Sequence, residues 1–334
     1  MSALPAGEPL VRVSRGDLVE SVHEIAACAL DAAGNIVYSA GSIDVPFYLR
    51  STAKPFIAAA ALAAGVRERF HLEPQEIAVM AASHTGEPFH IAAVRSILQK
   101  TGLSESALQC GAHAPYNGAA AQALQESGTV PTAVYNNCSG KHAGILALCR
   151  AIGADTATYL APQNAAQQTI LAMCARLSDE RPQRMPIGVD GCGIPVYAVP
   201  LRNAALSFMR FATLNGIAGG DARALRAVRD AMIAYPQYVS GTGEFDTELM
   251  LAANGAVACK AGAEGVHGVA VLGRGGLVVK VLDGTSRGRA PAVVGILRRL
   301  NWLEPAALAS LAPFERPQLF NRSGTHVGEI SALV

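Results

Sequence analysis

Hydrophobic positions near both ends of the chain follow the pattern of β-strands. Residues 10–41 are rich in β-branched residues, and DAAGN at 31–35 predicts a turn between two apolar runs, 25–30 and 36–40. RGG at 274–276 predicts a second hairpin turn. Later strands are predicted at 187–189, 257–259, 266–272 and 277–282. Strands near the end of the chain can return to pair with those near its start.

The middle of the chain follows the helical period instead. In segment 87–102 the apolar residues Ile91, Val94 and Leu98 share one face, and Gly102 ends the pattern. Similar patterns predict helices at 52–65, 139–153, 163–177, 204–215, 221–234, 244–253 and 290–300. The hairpin turns favour an antiparallel sheet, so we predict an α+β fold and not a doubly wound one. Without repeats or a clear linker, we expect a single catalytic domain over residues 1–334.

Composition narrows the possible partners and locations. Apolar residues make up 51% of the 334 positions and charged residues 16%, which suffices for a large core. The net charge of +1 without a basic stripe argues against nucleic acid. No signal peptide is visible, and the longest apolar run, 56–66, is about half of a membrane span. Seven scattered cysteines suggest reduced thiols, so we expect a cytoplasmic protein that binds no membrane.

The segment NNCSGKHAG, residues 136–144, combines a thiol, a hydroxyl, an amine and an imidazole. Cys138 and His142 lie four residues apart, on one helix face, and Cys192 in VDGCGIP could complete a zinc site with Asp190 as a ligand or a supporting group. Isolated cysteines are also ordinary core residues. The glycines at 140 and 144 suggest room for a ligand to approach, and Ser139 is a candidate helix cap.

Three further segments carry candidate chemistry. In RSTAKPF, Ser51 and Lys54 lie three residues apart, so a neutral lysine could activate the serine, although a capped helix start explains the same residues. In ASHTGEPFH, Ser83 and its polar neighbours follow an apolar run, where sites are often built, but they also suit a helix cap. In CKAGAEG, Lys260 follows a strand and could face a pocket or solvent.

Together these segments resemble one family. The ordered set RSTAKPF, SHTGE, NCSGKHAG, DGCGIPVYAVPL, GTGEFDT and CKAGAEGV is similar to the motifs of the Rhizobium-type, or class 3, L-asparaginases of the asparaginase II family. The similarity runs from about residue 10 to HVGEI near the end of the chain. It implies a fold similar to serine β-lactamases, penicillin-binding proteins and class A glutaminases, and a homodimer.

The resemblance also implies roles for individual residues. It pairs Ser51 with Lys54 and Ser83 with Lys260 as catalytic residues. It implies substrate-binding roles for Arg50, which lies beside the serine, and for Asp190, which supports the metal site. It implies a zinc ion with the ligands Cys138, Lys141 and Cys192. The imidazole of His142, which spacing alone suggested as a ligand, then becomes a neighbour of the site.

The activity implied is hydrolysis of L-asparagine to L-aspartate and ammonia. We favour Ser51 as the nucleophile, with Lys54 as its base, and a proton relay through Ser83 and Lys260. A glutaminase or a β-lactamase-like serine hydrolase would use the same residues. A non-catalytic zinc-binding protein would need the zinc ligands but neither lysine pair.

Overall fold

Residues 6–334 are described by a computed structural model, in which the chain divides into two units. The first unit combines the chain up to Thr52 with Val199–Asn215 and Glu248–Val334. The second unit combines Ala53–Ala198 with Gly216–Thr247. The expectation of a single domain over the whole chain stays a prediction.

The strands and helices occur largely where the periodicity predicts them. The strands are β1 (Glu8–Arg15), β2 (Leu18–Asp31), β3 (Ile36–Ala40), β4 (Pro46–Tyr48), β5 (Ile187–Val189), β6 (Pro195–Pro200), β7 (Val257–Gly262), β8 (Val266–Val271), β9 (Gly275–Val281), β10 (Gln318–Phe320) and β11 (His326–Ala332). The α-helices are α1 (Lys54–Ala63), α2 (Val66–Phe70), α3 (Pro74–Met80), α4 (Pro88–Lys100), α5 (Gly118–Glu126), α6 (Ser139–Ile152), α7 (Ala165–Ser178), α8 (Leu201–Thr213), α9 (Gly219–Ala234), α10 (Pro236–Val239), α11 (Phe245–Ala252), α12 (Arg289–Arg299), α13 (Pro305–Ser310) and α14 (Ala312–Glu315). Short 3-10 helices lie at Arg50–Ala53, Glu105–Ala107, Ala133–Tyr135 and Pro182–Arg184.

An antiparallel sheet organises the first unit. Within the described residues it has eight strands, in the order β10-β11-β1-β2-β9-β8-β7, with β3 beside β2. The long strand β2 pairs with β1, β3 and β9, so the start of the chain joins strands from its end, as in the pair Ala27 and Val279. The predicted α+β class with an antiparallel sheet is confirmed.

Glycines let helix α8 lie close to this sheet. A Cβ at Gly268 of β8 would stand 2.0 Å from the ring of Phe208, and one at Gly276 of β9 would stand 2.1 Å from the Met209 amide nitrogen. Any larger side chain would push the helix off the strands, because interiors are packed without spare volume. This contact secures the strands that continue, through the hairpin β7–β8, to Lys260.

The second unit is a helical bundle around α1. Residues Lys54–Leu62 of this helix are all buried, because α6, α7 and α9 pack around it. Helix α6 packs on α3 so closely that a Cβ at Gly140 would stand 2.1 Å from the Val79 carbonyl oxygen. Gly144 meets Met80 in the same way. The expectation that these glycines make room for a ligand is therefore wrong: they allow two helix backbones to approach.

All seven cysteines of the chain are buried free thiols. Their burial agrees with the expectation of small core residues. Between residues 6 and 334, no helix combines the length and the apolar character needed to cross a membrane.

Candidate active site

Lys54 stands at the centre of the candidate site in the second unit. It is the first residue of α1, and its ammonium is fully buried. It donates hydrogen bonds to the Ala82 carbonyl oxygen at 2.6 Å, to Ser83 Oγ at 2.8 Å and to Cys138 Sγ at 3.2 Å. The structure thus brings together three predicted site residues, Lys54, Ser83 and Cys138.

Ser83 is held by its backbone as well as by Lys54. It follows α3 after two buried alanines, and its amide donates to the Val239 carbonyl oxygen at 3.0 Å. The next amide, of His84, donates to the Asn137 carbonyl oxygen at 3.1 Å, which ties this segment to the start of α6. The serine therefore lies between two fixed segments, and its hydroxyl has a defined direction toward Lys54.

Two buried histidines beside Ser83 are neutral and have assigned tautomers. His84 Nδ1 accepts from the Gly86 amide at 3.2 Å, so its Nε2 carries the proton and donates to Ser139 Oγ at 2.8 Å. His90 Nδ1 accepts from the Glu87 amide at 3.1 Å, so its Nε2 donates to the Gln237 carbonyl oxygen at 2.8 Å.

Ser139, which accepts from His84, does not cap helix α6. Its hydroxyl donates to the Val134 carbonyl oxygen, and the cap position of α6 is Cys138. The prediction that Ser139 caps this helix is wrong.

Because His90 is buried in its neutral form, the free energy of unfolding should fall as the pH decreases. Burial lowers the pKa of His90 to about 4, from an ordinary value of about 6.5. The unfolded chain binds this proton first, so the contribution is present above about pH 6.5 and is lost toward pH 4. We expect the free energy of unfolding to fall by about 2 kcal/mol between pH 7 and pH 5 from this residue alone. Urea unfolding of the wild type and of His90→Gln measures the difference.

A matched variant isolates the effect of His90. His71 is an exposed histidine, so His71→Gln should keep the pH dependence of the wild type. If His90→Gln showed the same fall between pH 7 and pH 5 as the wild type, the neutral buried state of His90 would be refuted.

The predicted metal ligands also meet in the second unit. Cys138 caps α6, Lys141 lies in its first turn, and Cys192 lies in the tight turn between β5 and β6. Lys141 Nζ donates to Cys192 Sγ at 3.0 Å, and Cys192 is hydrogen-bonded to Cys138. Asp190 Oδ2 lies 3.8 Å from Lys141 Nζ. The structure thus places four predicted residues in one buried cluster.

Protons in this cluster are unevenly shared. The hydrogen bond with Cys192 and the ammonium groups of Lys54 and Lys141 hold the pKa of Cys138 well below its ordinary value, despite burial. The same hydrogen bond, with burial, raises the pKa of Cys192. Burial lowers the pKa of Lys141, but the two sulfurs and Asp190 outweigh it and raise this pKa. The directions of these pKa shifts favour a charged Cys138 thiolate beside a charged Lys141.

The donor set fits a zinc ion. Two cysteine sulfurs and one nitrogen lie in contact at a buried position, and sulfur and nitrogen are the ligands that zinc prefers. Zinc would replace the proton of Cys192 and one proton of Lys141, because only a thiolate and a neutral amine coordinate. His142 stands beside this set: its Nδ1 is hydrogen-bonded to the Tyr159 hydroxyl at 2.6 Å.

Arg50, Ser51 and Lys260 belong to the first unit. Arg50 has a φ of 50°, a left-handed conformation that is rare outside glycine, and its guanidinium lies 3.9 Å from Glu264. Ser51 follows in a 3-10 helix, and Gly262 of β7 lies beside it, at a position where a Cβ would stand 3.4 Å from the Ser51 amide nitrogen. Lys260, two residues before Gly262, is buried. The left-handed backbone conformation of Arg50 is of a kind that is common at functional sites.

Two residues that support the site, His113 and Thr242, were not singled out from the sequence. His113 accepts a hydrogen bond from the Asn137 amide at 2.9 Å, and Glu87 accepts one from the Thr242 amide at 3.0 Å. Glu87 is one of the polar residues already considered in ASHTGEPFH, and Thr242 lies in the GTGEFDT motif, which was a signal for it. His113 lies in GAHAPYN, where nothing in the spacing indicates a contact.

Comparisons with known proteins identify the family of the chain. The sequence model of the L-asparaginase II family matches residues 11–332. No curated protein sequence matches the chain at a significant level. Among solved structures, Mglu in its native form is 15% identical, with 90% of this chain and 69% of that chain covered and a TM-score of 0.47. Mglu in its tris and glutamate form is 14% identical, with 91% and 64% covered and a TM-score of 0.38.

Proposed function

The chain belongs to the L-asparaginase II family, and on this premise we propose that it hydrolyses the side-chain amide of L-asparagine to L-aspartate and ammonia. Family membership supports an amidohydrolase. The observation that carries the finer proposal is the buried ammonium of Lys54, which bonds to Ser83 Oγ at 2.8 Å and begins helix α1 three residues after Ser51. A buried lysine beside serines is the arrangement that a serine amidohydrolase without histidine needs.

The proposed reaction has two stages. Ser51 gives its proton to Lys54, once that lysine is neutral, and its Oγ forms a bond with the amide carbon. The carbon–nitrogen bond then breaks, and the departing nitrogen takes a proton and leaves as ammonia. Water attacks the resulting ester, aspartate is released, and Ser51 regains its proton. Ser83 and Lys260 relay protons between these stages.

Backbone groups at Ser51 suit the negative oxygen of each tetrahedral stage. The Thr52 amide already donates to the Leu49 carbonyl oxygen at 3.1 Å, so we assign the role to the Ser51 amide. Gly262 beside it has no side chain, which leaves space near this N–H group. The guanidinium of Arg50 suits the carboxylate of the substrate, since arginine binds carboxylates through two parallel hydrogen bonds.

The zinc site is part of the proposal. Cys138, Lys141 and Cys192 would hold the ion, and Asp190 would orient Lys141 and help to bind the substrate. When bound, zinc supplies a fixed positive charge and a Lewis acid. Because Cys138 also contacts Lys54 at 3.2 Å, we expect these residues to shape the pocket and tune substrate affinity. We further propose a homodimer in the cytoplasm, the latter on the seven free thiols.

Release of ammonia from L-asparagine and from L-glutamine, with and without zinc, tests the proposed function. We expect asparagine to be the better substrate, and we expect stringent removal of zinc to raise KM more than it lowers kcat. Each rate is measured by coupled detection of ammonia, with metal content determined on the same samples.

The competing functions predict different results. A glutaminase would release ammonia faster from glutamine. A β-lactamase-like hydrolase would be labelled covalently at Ser51 by a penicillin, which intact mass detects. A non-catalytic zinc-binding protein would bind the metal and release ammonia from neither amide. Unchanged KM and kcat after complete zinc removal would contradict the role given to the metal.

A further inference from the structure

Glu87 carries a buried carboxylate for which the proposed reaction has no use. It stands just before α4, and its two oxygens accept three hydrogen bonds. Oε2 accepts from Thr85 Oγ1 at 2.9 Å and from the Thr242 amide at 3.0 Å, and Oε1 accepts from Thr242 Oγ1 at 2.8 Å. Burial raises the pKa of Glu87, but these hydrogen bonds outweigh it and lower the pKa, so the group is a carboxylate at neutral pH. Such charge-assisted bonds are stronger than neutral ones.

The partner of Glu87 is the start of the GTGEFDT segment, at a point where only glycine fits. A Cβ at Gly241 would stand 2.1 Å from Thr85 Oγ1 and 3.0 Å from Glu87 Oε2. Gly241 also has a φ of 148°, which other residues rarely adopt. The backbone of Gly241 is also fixed by Thr247, whose Oγ1 donates to the Gly241 carbonyl oxygen at 2.7 Å. The chain is thus pressed against Thr85 and Glu87.

The contact with Glu87 is one of several between residues 237–242 and residues 83–90. The Gln237 carbonyl oxygen accepts from His90, and the Val239 carbonyl oxygen accepts from the Ser83 amide at 3.0 Å. Thr242 then bonds to Glu87 by both its amide and its hydroxyl. These four hydrogen bonds, spread over residues 237–242, connect the two segments, and we call them the lock. Ser83 lies at one end of this lock and Glu87 near the other.

We propose that Glu87 is a positioning residue for the reaction, which acts by locking residues 237–242 onto residues 83–90 and so fixes the direction of the Ser83 hydroxyl toward Lys54. This inference rests on the proposed function, since it assigns Ser83 to proton transfer. Glu87 touches neither serine through the bonds described above. Its effect passes through Thr242 and the Val239 carbonyl to the Ser83 amide. A misplaced catalytic group costs rate even when binding is preserved.

Loss of the carboxylate should lower kcat and leave KM nearly unchanged. In Glu87→Ala, the amide of Thr242 and two hydroxyls lose their acceptor, so we expect kcat to fall about 100-fold with KM within about 3-fold. Glu87→Gln should recover most of this rate, to within about 10-fold of wild type. Its amide oxygen can accept from the Thr242 amide, while its NH₂ group donates to Thr242 Oγ1. Steady-state kinetics of ammonia release from asparagine measures these values.

A matched control separates positioning from general damage. Glu76 is another buried carboxylate of the second unit, which accepts from Lys100 Nζ at 2.7 Å and from the Glu73 amide at 2.6 Å. Glu76→Ala removes a similar set of bonds, so it should lower the melting temperature comparably and leave kcat within about 3-fold. If Glu87→Ala behaved like Glu76→Ala, with stability lost and kcat retained, the proposal would be overturned. Equal loss of rate in Glu87→Ala and Glu87→Gln would also overturn it, since the charge itself would then be required.

Hydrogen exchange tests the lock without any assay of activity. We expect the amides of Ser83 and Thr242 to exchange at least about 10-fold faster in Glu87→Ala than in the wild type, with no such change in Glu76→Ala. Unchanged exchange at both amides would refute the lock even if the enzyme were fully active. If the wild type released no ammonia from either amide, the proposed function would fail, whereas faster exchange would still support the lock.

Discussion

Replacement of Ser51 by alanine should abolish the release of ammonia from L-asparagine, with a loss of rate on the order of 10⁴-fold or more. Alanine cannot attack the amide carbon, so no ester forms and both stages stop. The substitution removes one hydroxyl from a 3-10 helix and adds no bulk, so the fold should be retained. Initial rates of ammonia release measure the loss, and intact mass spectrometry of samples quenched during turnover should show no acyl adduct.

Two other serines make this experiment decisive. Ser83→Ala should retain more activity than Ser51→Ala, because relayed protons can pass through water whereas a nucleophile has no substitute. Ser310→Ala makes the same chemical change at the end of α13 in the first unit and should leave the rate unchanged. Near-normal turnover by Ser51→Ala, or an acyl adduct that maps to Ser83, would transfer the role of nucleophile to Ser83.

Replacement of Lys54 by methionine should lower kcat by about 10³-fold or more, because the base for the serine is lost. Methionine fills a similar volume but cannot supply the bonds to Ala82, Ser83 and Cys138. Lys54→Arg keeps a positive charge that cannot be given up at any ordinary pH, so it should be inactive as well. The two variants together separate the need for a base from the need for a charge. Rates of ammonia release and metal content measure the outcome.

Lys100 provides a matched control for this test. It also lies in the second unit and donates to Glu76 at 2.7 Å and to the His71 carbonyl oxygen at 2.9 Å. Lys100→Met should lower stability and leave kcat unchanged. Zinc content should be retained in Lys54→Met, since Lys54 is not among the proposed ligands. Turnover within about 10-fold of wild type in Lys54→Arg would be incompatible with a lysine base at this position.

Local periodicity predicted most of the secondary structure because it depends on neighbours in sequence. Strand β3 and helices α4 and α6 lie within a few residues of their predicted ranges, whereas β2 begins seven residues before the apolar run at 25–30. Helix α5 was not predicted, and none of its residues is buried, so it has no apolar face to reveal it. Strand β6 was also not predicted, because its residues Pro195–Val199 are all buried and show no alternation.

The motifs named the chemical groups of the candidate site, but contacts across the fold determined how they pair. The spacing of three residues suggested Lys54 as the base for Ser51. The structure adds a partner that the spacing did not indicate, because Lys54 Nζ donates to Ser83 Oγ at 2.8 Å, 29 residues away. Spacing of four residues suggested His142 as a partner of Cys138, whereas Nδ1 of His142 bonds to Tyr159. A lysine has a long side chain, so its neighbours along the helix are a poor guide to its contacts.

The sequence by itself determined which groups are available: two serines, three lysines, a pair of cysteines and the α+β pattern that carries them. Those features depend on residue type and on periods of two or 3.6 residues, which are local properties. Only the tertiary structure decided that Lys54 bonds to Ser83 and Cys138, that Gly140 serves helix packing, and that Glu87 reaches Thr242. These contacts join segments up to 155 residues apart, and their geometry follows from how helices and loops pack together, which no local pattern records.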